Sequence, residues 1–147
     1  VHFVYEPGER FAVAGREVID PAAIRFKGLW HLATPAGRPG DGAFHAVSRD
    51  GLAFTRRDNI ASIGGVNWTG NFIVVEDELR FYGGGESLWW AATRDGARWS
   101  APVRTNVPRG GDPTVVRTAK GDYLAVYVSI RPEADRRTRN FPAAMRR

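Results

Sequence analysis

Two seven-residue segments of this chain are near copies, and their separation constrains the fold more than any other feature. Ser48-Arg49-Asp50-Gly51-Leu52-Ala53-Phe54 and Thr93-Arg94-Asp95-Gly96-Ala97-Arg98-Trp99 both read hydroxyl, Arg, Asp, Gly, two variable residues, aromatic. A second pair also matches: Asp20-Pro21-Ala22-Ala23-Ile24-Arg25 and Asp112-Pro113-Thr114-Val115-Val116-Arg117. The Asp-Gly turns lie 45 residues apart and the Asp-Pro starts 92 apart, close to twice that. One repeating unit of about 45 residues accounts for both spacings, and such a period marks an array of similar supersecondary units.

Short β-rich runs fall between Gly- and Asp-bearing turns in this register. The first full repeat offers Ala22–Phe26, Leu29–Ala33 and Ala43–Ser48. The second offers Phe72–Val75, Leu79–Tyr82 and Leu88–Thr93, and the last Thr114–Thr118 and Tyr123–Ser129. Tyr5-Glu6-Pro7-Gly8-Glu9-Arg10-Phe11 resembles a decayed copy of the Asp-Gly turn, which puts residues 1–18 on the third and fourth strands of a unit. Four-stranded antiparallel meanders repeating at this length are the blades of a β-propeller. The expected fold is therefore all-β, with about three blades' worth of strands. Residues 1–130 form a partial propeller (half a blade, two full blades, half a blade), and residues 131–147 form an Arg-rich tail. Rings of known propellers hold about four to eight blades. Closure then needs further blades, or two copies pairing their ends as a homodimer.

Charge looks informative until it is located. The net charge is +5, but the tail carries Arg131, Arg136, Arg137, Arg139, Arg146 and Arg147 against Glu133 and Asp135, which leaves the body nearly neutral. No aromatic platform or nucleic-acid motif accompanies those arginines, so nucleic acid is not an expected partner. The absence of Cys excludes thiolate metal sites and Cys nucleophiles. No apolar run approaches the roughly 20 residues of a spanning helix, so no membrane partner is expected. Val1 to Arg10 lacks the order of a signal peptide, and the compartment stays open. His2, His31 and His45 are scattered without ligand spacing, so neither metal nor other cofactor is assigned.

The turns at Asp50 and Asp95 resemble the Asp-box of sialidases and its Ser-x-Asp-Gly-x-x-Trp variant in five-bladed glycoside hydrolase propellers. The stretch from Leu79 to Gly96, with Gly83-Gly84-Gly85-Glu86-Ser87 between two strand runs, is similar to blades of the arabinanase, fructosidase and mannoside-phosphorylase groups. Together these motifs span most of residues 18–130. The resemblance implies a glycoside hydrolase-like propeller, or part of one, that binds carbohydrate or cleaves glycosidic bonds with carboxylates. A sialidase-like propeller and a non-catalytic carbohydrate-binding module are the alternatives.

Strand order sorts the residues by face. The start of a first strand and the loop between strands two and three share one end of a blade, while the Asp-Gly turns lie at the other. That gathers Asp20, Asp112, Glu86, Asp41, Arg38, Asn67, Trp68, Asn71 and Arg109 on one rim. The resemblance implies Asp20 as base or nucleophile, Asp112 as the carboxylate that orients substrate or tunes the acid, and Glu86 as candidate acid. Glycosidic cleavage needs a carboxylate pair of this kind. Trp68, Asn67, Asn71, Arg109 and Arg38 are the candidate substrate-binding residues, Trp68 as a platform for a sugar ring. Each also has a purely structural reading, since an Asp before Pro orders the entering strand. The middle repeat departs from its neighbours, with Gly70-Asn71 in place of Asp-Pro. Arg25 and Arg117 occupy equivalent positions and are the arginines a sialidase reading would call on.

Overall fold

The computed structural model describes residues 1–37, 42–63 and 68–129. Within them the chain contains no helix and eight strands. The strands are β1 (Ala22–Phe26), β2 (Leu29–Pro35), β3 (Ala43–Ser48), β4 (Thr55–Ile60), β5 (Trp68–Val75), β6 (Glu78–Thr93), β7 (Val103–Arg117) and β8 (Tyr123–Ser129). They form two antiparallel four-stranded sheets in simple sequence order, β1-β2-β3-β4 and β5-β6-β7-β8. The hairpin between β1 and β2 turns on Lys27-Gly28, both at positive φ (46° and 82°), as a tight two-residue connection between twisted strands requires.

The second sheet is curled because β6 folds over on itself. Residues 80 and 90 of a straight strand would lie roughly 33 Å apart. Instead the Arg80 guanidinium stands 4.7 Å from the Trp90 ring, and the Phe81 and Trp89 rings are 5.9 Å apart edge to face. The bend falls at Gly83-Gly84-Gly85. Trp89 lies across Gly83, where a Cβ would come within 2.2 Å of the indole, and its Nε1–H donates to the Gly84 carbonyl at 2.9 Å. The two halves of β6 thus lie side by side, as separate second and third strands of a blade would. β7 is similarly divided: its first part pairs with β6, its second part with β8.

Residues 1–18 differ from the expectation of two strands. They form only the single bridge Val13↔Arg16, and Val1 to Glu9 are exposed. A strand needs an edge to pair with, and this segment instead runs beside the first sheet. There the Phe54 N–H donates to the Arg10 carbonyl at 3.2 Å and the Thr34 hydroxyl donates to the Ile19 carbonyl. The Arg-rich tail lies outside the described residues.

Both Asp-Gly turns are held by the same bonds. The Asp50 carboxylate accepts from the Leu52 and Ala53 amides and the Ser48 hydroxyl, while Gly51 N–H donates to Ser48 Oγ. Asp95 repeats this with Ala97, Arg98 and Thr93, and Gly96 N–H donates to Thr93 Oγ1. Amide donors directed at the charged form draw both carboxyls down to about 2.

The apolar core lies between the sheets, with Phe26, Ala33 and Ile60 from the first against Phe72, Phe81 and Trp89 from the second. At its edge a polar contact joins the sheets. His31 on β2 and His45 on β3 are buried, stacked at 5.3 Å, with His31 Nδ1 3.0 Å from His45 Nε2. The second sheet caps the pair: Gly96 approaches so closely that a Cβ there would come within 2.7 Å of His31, and Trp99 meets His45 edge-on at 5.4 Å. Lys27 Nζ reaches across to the Arg94 carbonyl at 2.5 Å. Burial lowers both imidazoles. His45, burdened also by His31 and Arg57, falls to about 4. Such depression leaves stability complete above about 6.5 and removes it as pH falls from there toward 4, because only the unfolded chain then takes up protons. Chemical denaturation at pH 7 and pH 4 should show a loss of about 3 kcal/mol attributable to His45. Replacing His31 and His45 together by Leu should flatten that window, and an unaltered pH profile in the double variant would contradict this assignment.

Candidate functional site

The first strands of successive repeats stand next to one another: β1 packs beside β5, and β5 beside the second half of β7. Asp20 sits just before β1, and Asp112 sits in β7 within the stretch that pairs with β8, between Gly111 and Thr114. Both are exposed and both hold the same unusual backbone, φ 47°. Positive φ is uncommon for a residue with a Cβ, and a following Pro narrows its choices further. The two Asp-Pro steps therefore share conformation as well as sequence.

At Asp112 the ladder is offset. Gly111 pairs with Val128 and Thr114 with Val126, so Asp112 and Pro113 together oppose Tyr127 alone. The same irregularity recurs in β5, where Thr69 pairs with Gly83 and Phe72 with Phe81, leaving Gly70-Asn71 opposite Tyr82. Bulges of this kind bend a strand and redirect its side chains. The departure of the middle repeat has a physical cause here. A Cβ on Gly70 would stand 2.3 Å from the Pro113 carbonyl oxygen, so no Asp fits there. The Asn71 side chain is equally committed. Its Oδ1 accepts from Val115 N–H at 2.7 Å and its Nδ2 donates to the Val115 carbonyl at 2.9 Å, an amide standing in for a strand partner and fastening β5 to β7.

The other expected site residues fall variously. Glu86 lies in the second half of β6 and pairs loosely with Arg109 of β7 at 3.9 Å, both about half exposed (52% and 47%). Arg109 itself lies within β7, on the stretch Val107–Gly111. Trp68 opens β5 opposite Gly84. Arg38, Asp41 and Asn67 lie outside the described residues. Among the described residues no hydrogen bond or ion pair joins Asp20, Asp112 and Glu86 to one another. Arg25 and Arg117 are exposed on β1 and β7.

An open depression of about 670 Å³ lies instead along β4, lined by Arg56, Arg57, Asp58, Asn59 and Ala97. It offers one carboxylate among arginines and no aromatic ring, so its shape is not matched by sugar-cleaving chemistry. Sequence reasoning missed the imidazole pair and treated the histidines as scattered. Strand alternation was the available signal, because His31 and His45 fall on one face of neighbouring strands.

The four-stranded antiparallel sheets, their period and their packing define the fold of a β-propeller, with part of a ring present. Neither a protein-family model nor a curated protein sequence matches the chain. The solved structures it is similar to include three glycoside hydrolase propellers. One is a GH43B from the xyloglucan utilisation locus of Bacteroides ovatus, at TM-score 0.64 and 14% identity, covering 76% of this chain and 26% of that one. Another is the α-L-arabinanase of Penicillium chrysogenum complexed with arabinobiose, at 0.59 and 19%, covering 73% and 40%. The third is CoXyl43, a β-xylosidase/α-arabinofuranosidase from a compost microbial metagenome, at 0.57 and 15%, covering 81% and 45%. The chain thus spans less than half the length of each.

The bulge contact is testable without a ligand. Gly70→Ala should destabilise the fold by about 1–3 kcal/mol through overpacking against Pro113. Asn71→Ala should cost a similar amount by stranding the Val115 amide and carbonyl. Urea denaturation checks both, and wild-type midpoints would contradict the fastening role.

Proposed function

We propose that this chain is part of a carbohydrate-active propeller whose sugar-binding face is the rim bearing Asp20 and Asp112. The observation that carries this reading is the matched pair itself: two exposed carboxylates at equivalent repeat positions, each on an Asp-Pro step at φ 47°. Backbone held in a sparsely populated region is a mark of sites where a side chain must be aimed. In this reading Asp20 is the base or nucleophile, Asp112 orients substrate, and Trp68, Asn67, Arg38 and Arg109 supply contacts at the same rim. Propellers similar in fold act on xylose- and arabinose-containing glycans by their names, which makes pentose oligosaccharides the first ligands to try. The two Asp-Gly turns are read as structural Asp-boxes, each carboxylate saturated by its own turn.

One observation favours a binding module without catalysis. Glu86, the candidate acid, is paired with Arg109 at 3.9 Å. Cleavage requires an acid positioned at the leaving oxygen. The two readings separate by experiment. Titration calorimetry with xylo- and arabino-oligosaccharides should show binding that Asp112→Asn weakens at least tenfold with the circular dichroism spectrum unchanged. Turnover abolished in Asp20→Asn selects the enzyme, and binding without turnover in the wild type selects the module. Absence of binding to any pentose or hexose oligosaccharide would overturn the proposal.

A further inference from the structure

β4 has five consecutive exposed residues, Thr55 to Asn59. A strand packed on one side buries alternate side chains, so core packing does not account for the two adjacent arginines here. Arg57 pairs across the ladder with His45, on the face that carries the imidazoles. Arg56 turns to the other face, its guanidinium 4.7 Å from the buried Phe44 ring, and its Nη2 donates to Asn59 Oδ1 at 3.3 Å. The two guanidiniums thus straddle the strand.

The depression of about 670 Å³ along β4 is lined by both arginines with Asp58 and Asn59. Two others adjoin it through shared residues, one of about 360 Å³ holding Arg57 and Arg49 and one of about 450 Å³ holding Arg56 and Arg16. All four arginines are exposed, and among the described residues none of them makes an ion pair, although other arginines of the chain do. Two carboxylates share this strip. Asp50 is committed to the amides of its own turn, and Asp58 is exposed. Six strand residues at about 3.3 Å each make the strip roughly 20 Å long, which suits an extended chain better than a single sugar.

Its composition selects the ligand. Guanidinium forks match carboxylates bidentately, and Asp58 and Asn59 offer acceptors to hydroxyls. A nucleic acid carries a charge about every 1.7 Å of duplex and stacks its bases on rings when single-stranded. Asp58 repels the first, and the one ring beside the strip, Phe44, lies under Arg56. We propose that the strip binds an acidic polysaccharide whose carboxylates are spaced among hydroxyl-bearing sugars, as a second site apart from the Asp20–Asp112 rim. Residues of both Asp-Gly turns, Asp50 and Ala97, line it. Ser48, which leads into the first of those turns, pairs with Trp30, and Trp30 with Arg25, at the end of β1 away from Asp20. The sugar nature of the ligand rests on the carbohydrate-active reading above; its negative charge rests on the arginines alone.

Titration of the whole chain with a short oligogalacturonate should show binding that weakens as salt is raised, because the charges are exposed. Arg56→Gln combined with Arg57→Gln should weaken it at least about tenfold, with the circular dichroism spectrum unchanged. A neutral galacto-oligosaccharide of the same length should not compete for the strip. No binding of the oligogalacturonate, equal binding by the arginine variant, or tighter binding of single-stranded DNA of the same charge would each overturn the proposal. Binding lost in Asp112→Asn but kept in the arginine variant puts the acidic sugar at the rim, which overturns the strip and leaves the carbohydrate reading standing. Arginine-dependent oligogalacturonate binding with no neutral oligosaccharide bound anywhere supports the strip and overturns the rim.

Discussion

The seating of one turn on a pair of imidazoles organises this molecule. Gly96 and Trp99, from the turn that Asp95 ties together, close over His31 and His45 and join the second sheet to the first. That junction needs a residue without a Cβ at position 96, a carboxylate at 95 to shape the turn, and neutral rings beneath. With the sheets so joined, β1 comes beside β5 and β5 beside β7. The placement of the Asp20 and Asp112 steps then follows from the packing of whole blades.

Equivalent slots of the repeat are filled by different chemistry. The hairpin and turn registers put Arg80 and Trp90 of the second sheet where His31 and His45 stand in the first. One pair is two buried rings capped by a neighbouring turn. The other is a guanidinium stacked on an indole at 4.7 Å, with Arg80 also bonded to Glu78 and reaching the Tyr123 hydroxyl at 3.3 Å. Cross-strand stacking is retained while the degree of burial differs, and the polar identity follows the burial. The same logic applies at the first strands. A bulge recurs, yet Asp-Pro gives way to Gly-Asn where the neighbouring Pro113 occupies the space.

Much of the fold was legible in the sequence because turn chemistry is local. The Asp-Gly copies, their period and the strand runs between them follow from short-range rules about positive φ and alternation, and β1, β2, β3 and β8 fall where those rules put them. What the sequence hid depends on contacts across sheets. Nothing local shows that Gly70 abuts Pro113, that Asn71 fastens two strands, or that His31 meets His45. The segment 1–18 was read as strands from its likeness to a turn, but a strand forms only where an edge is offered. The candidate site residues were grouped on one rim by strand order alone. Their mutual geometry depends on neighbouring blades and does not follow from spacing.

The most direct test of the account is to locate where a sugar touches the folded chain. Backbone amide shifts of the labelled protein, followed by NMR during addition of a xylo- or arabino-oligosaccharide, report this residue by residue. The account predicts shifts concentrated at Asp20, Gly70, Asn71 and the Gly111–Asp112 step, with the Asp50 and Asp95 turns unmoved. Shifts confined to the arginine-lined depression on β4, or to the Asp-Gly turns, would contradict it.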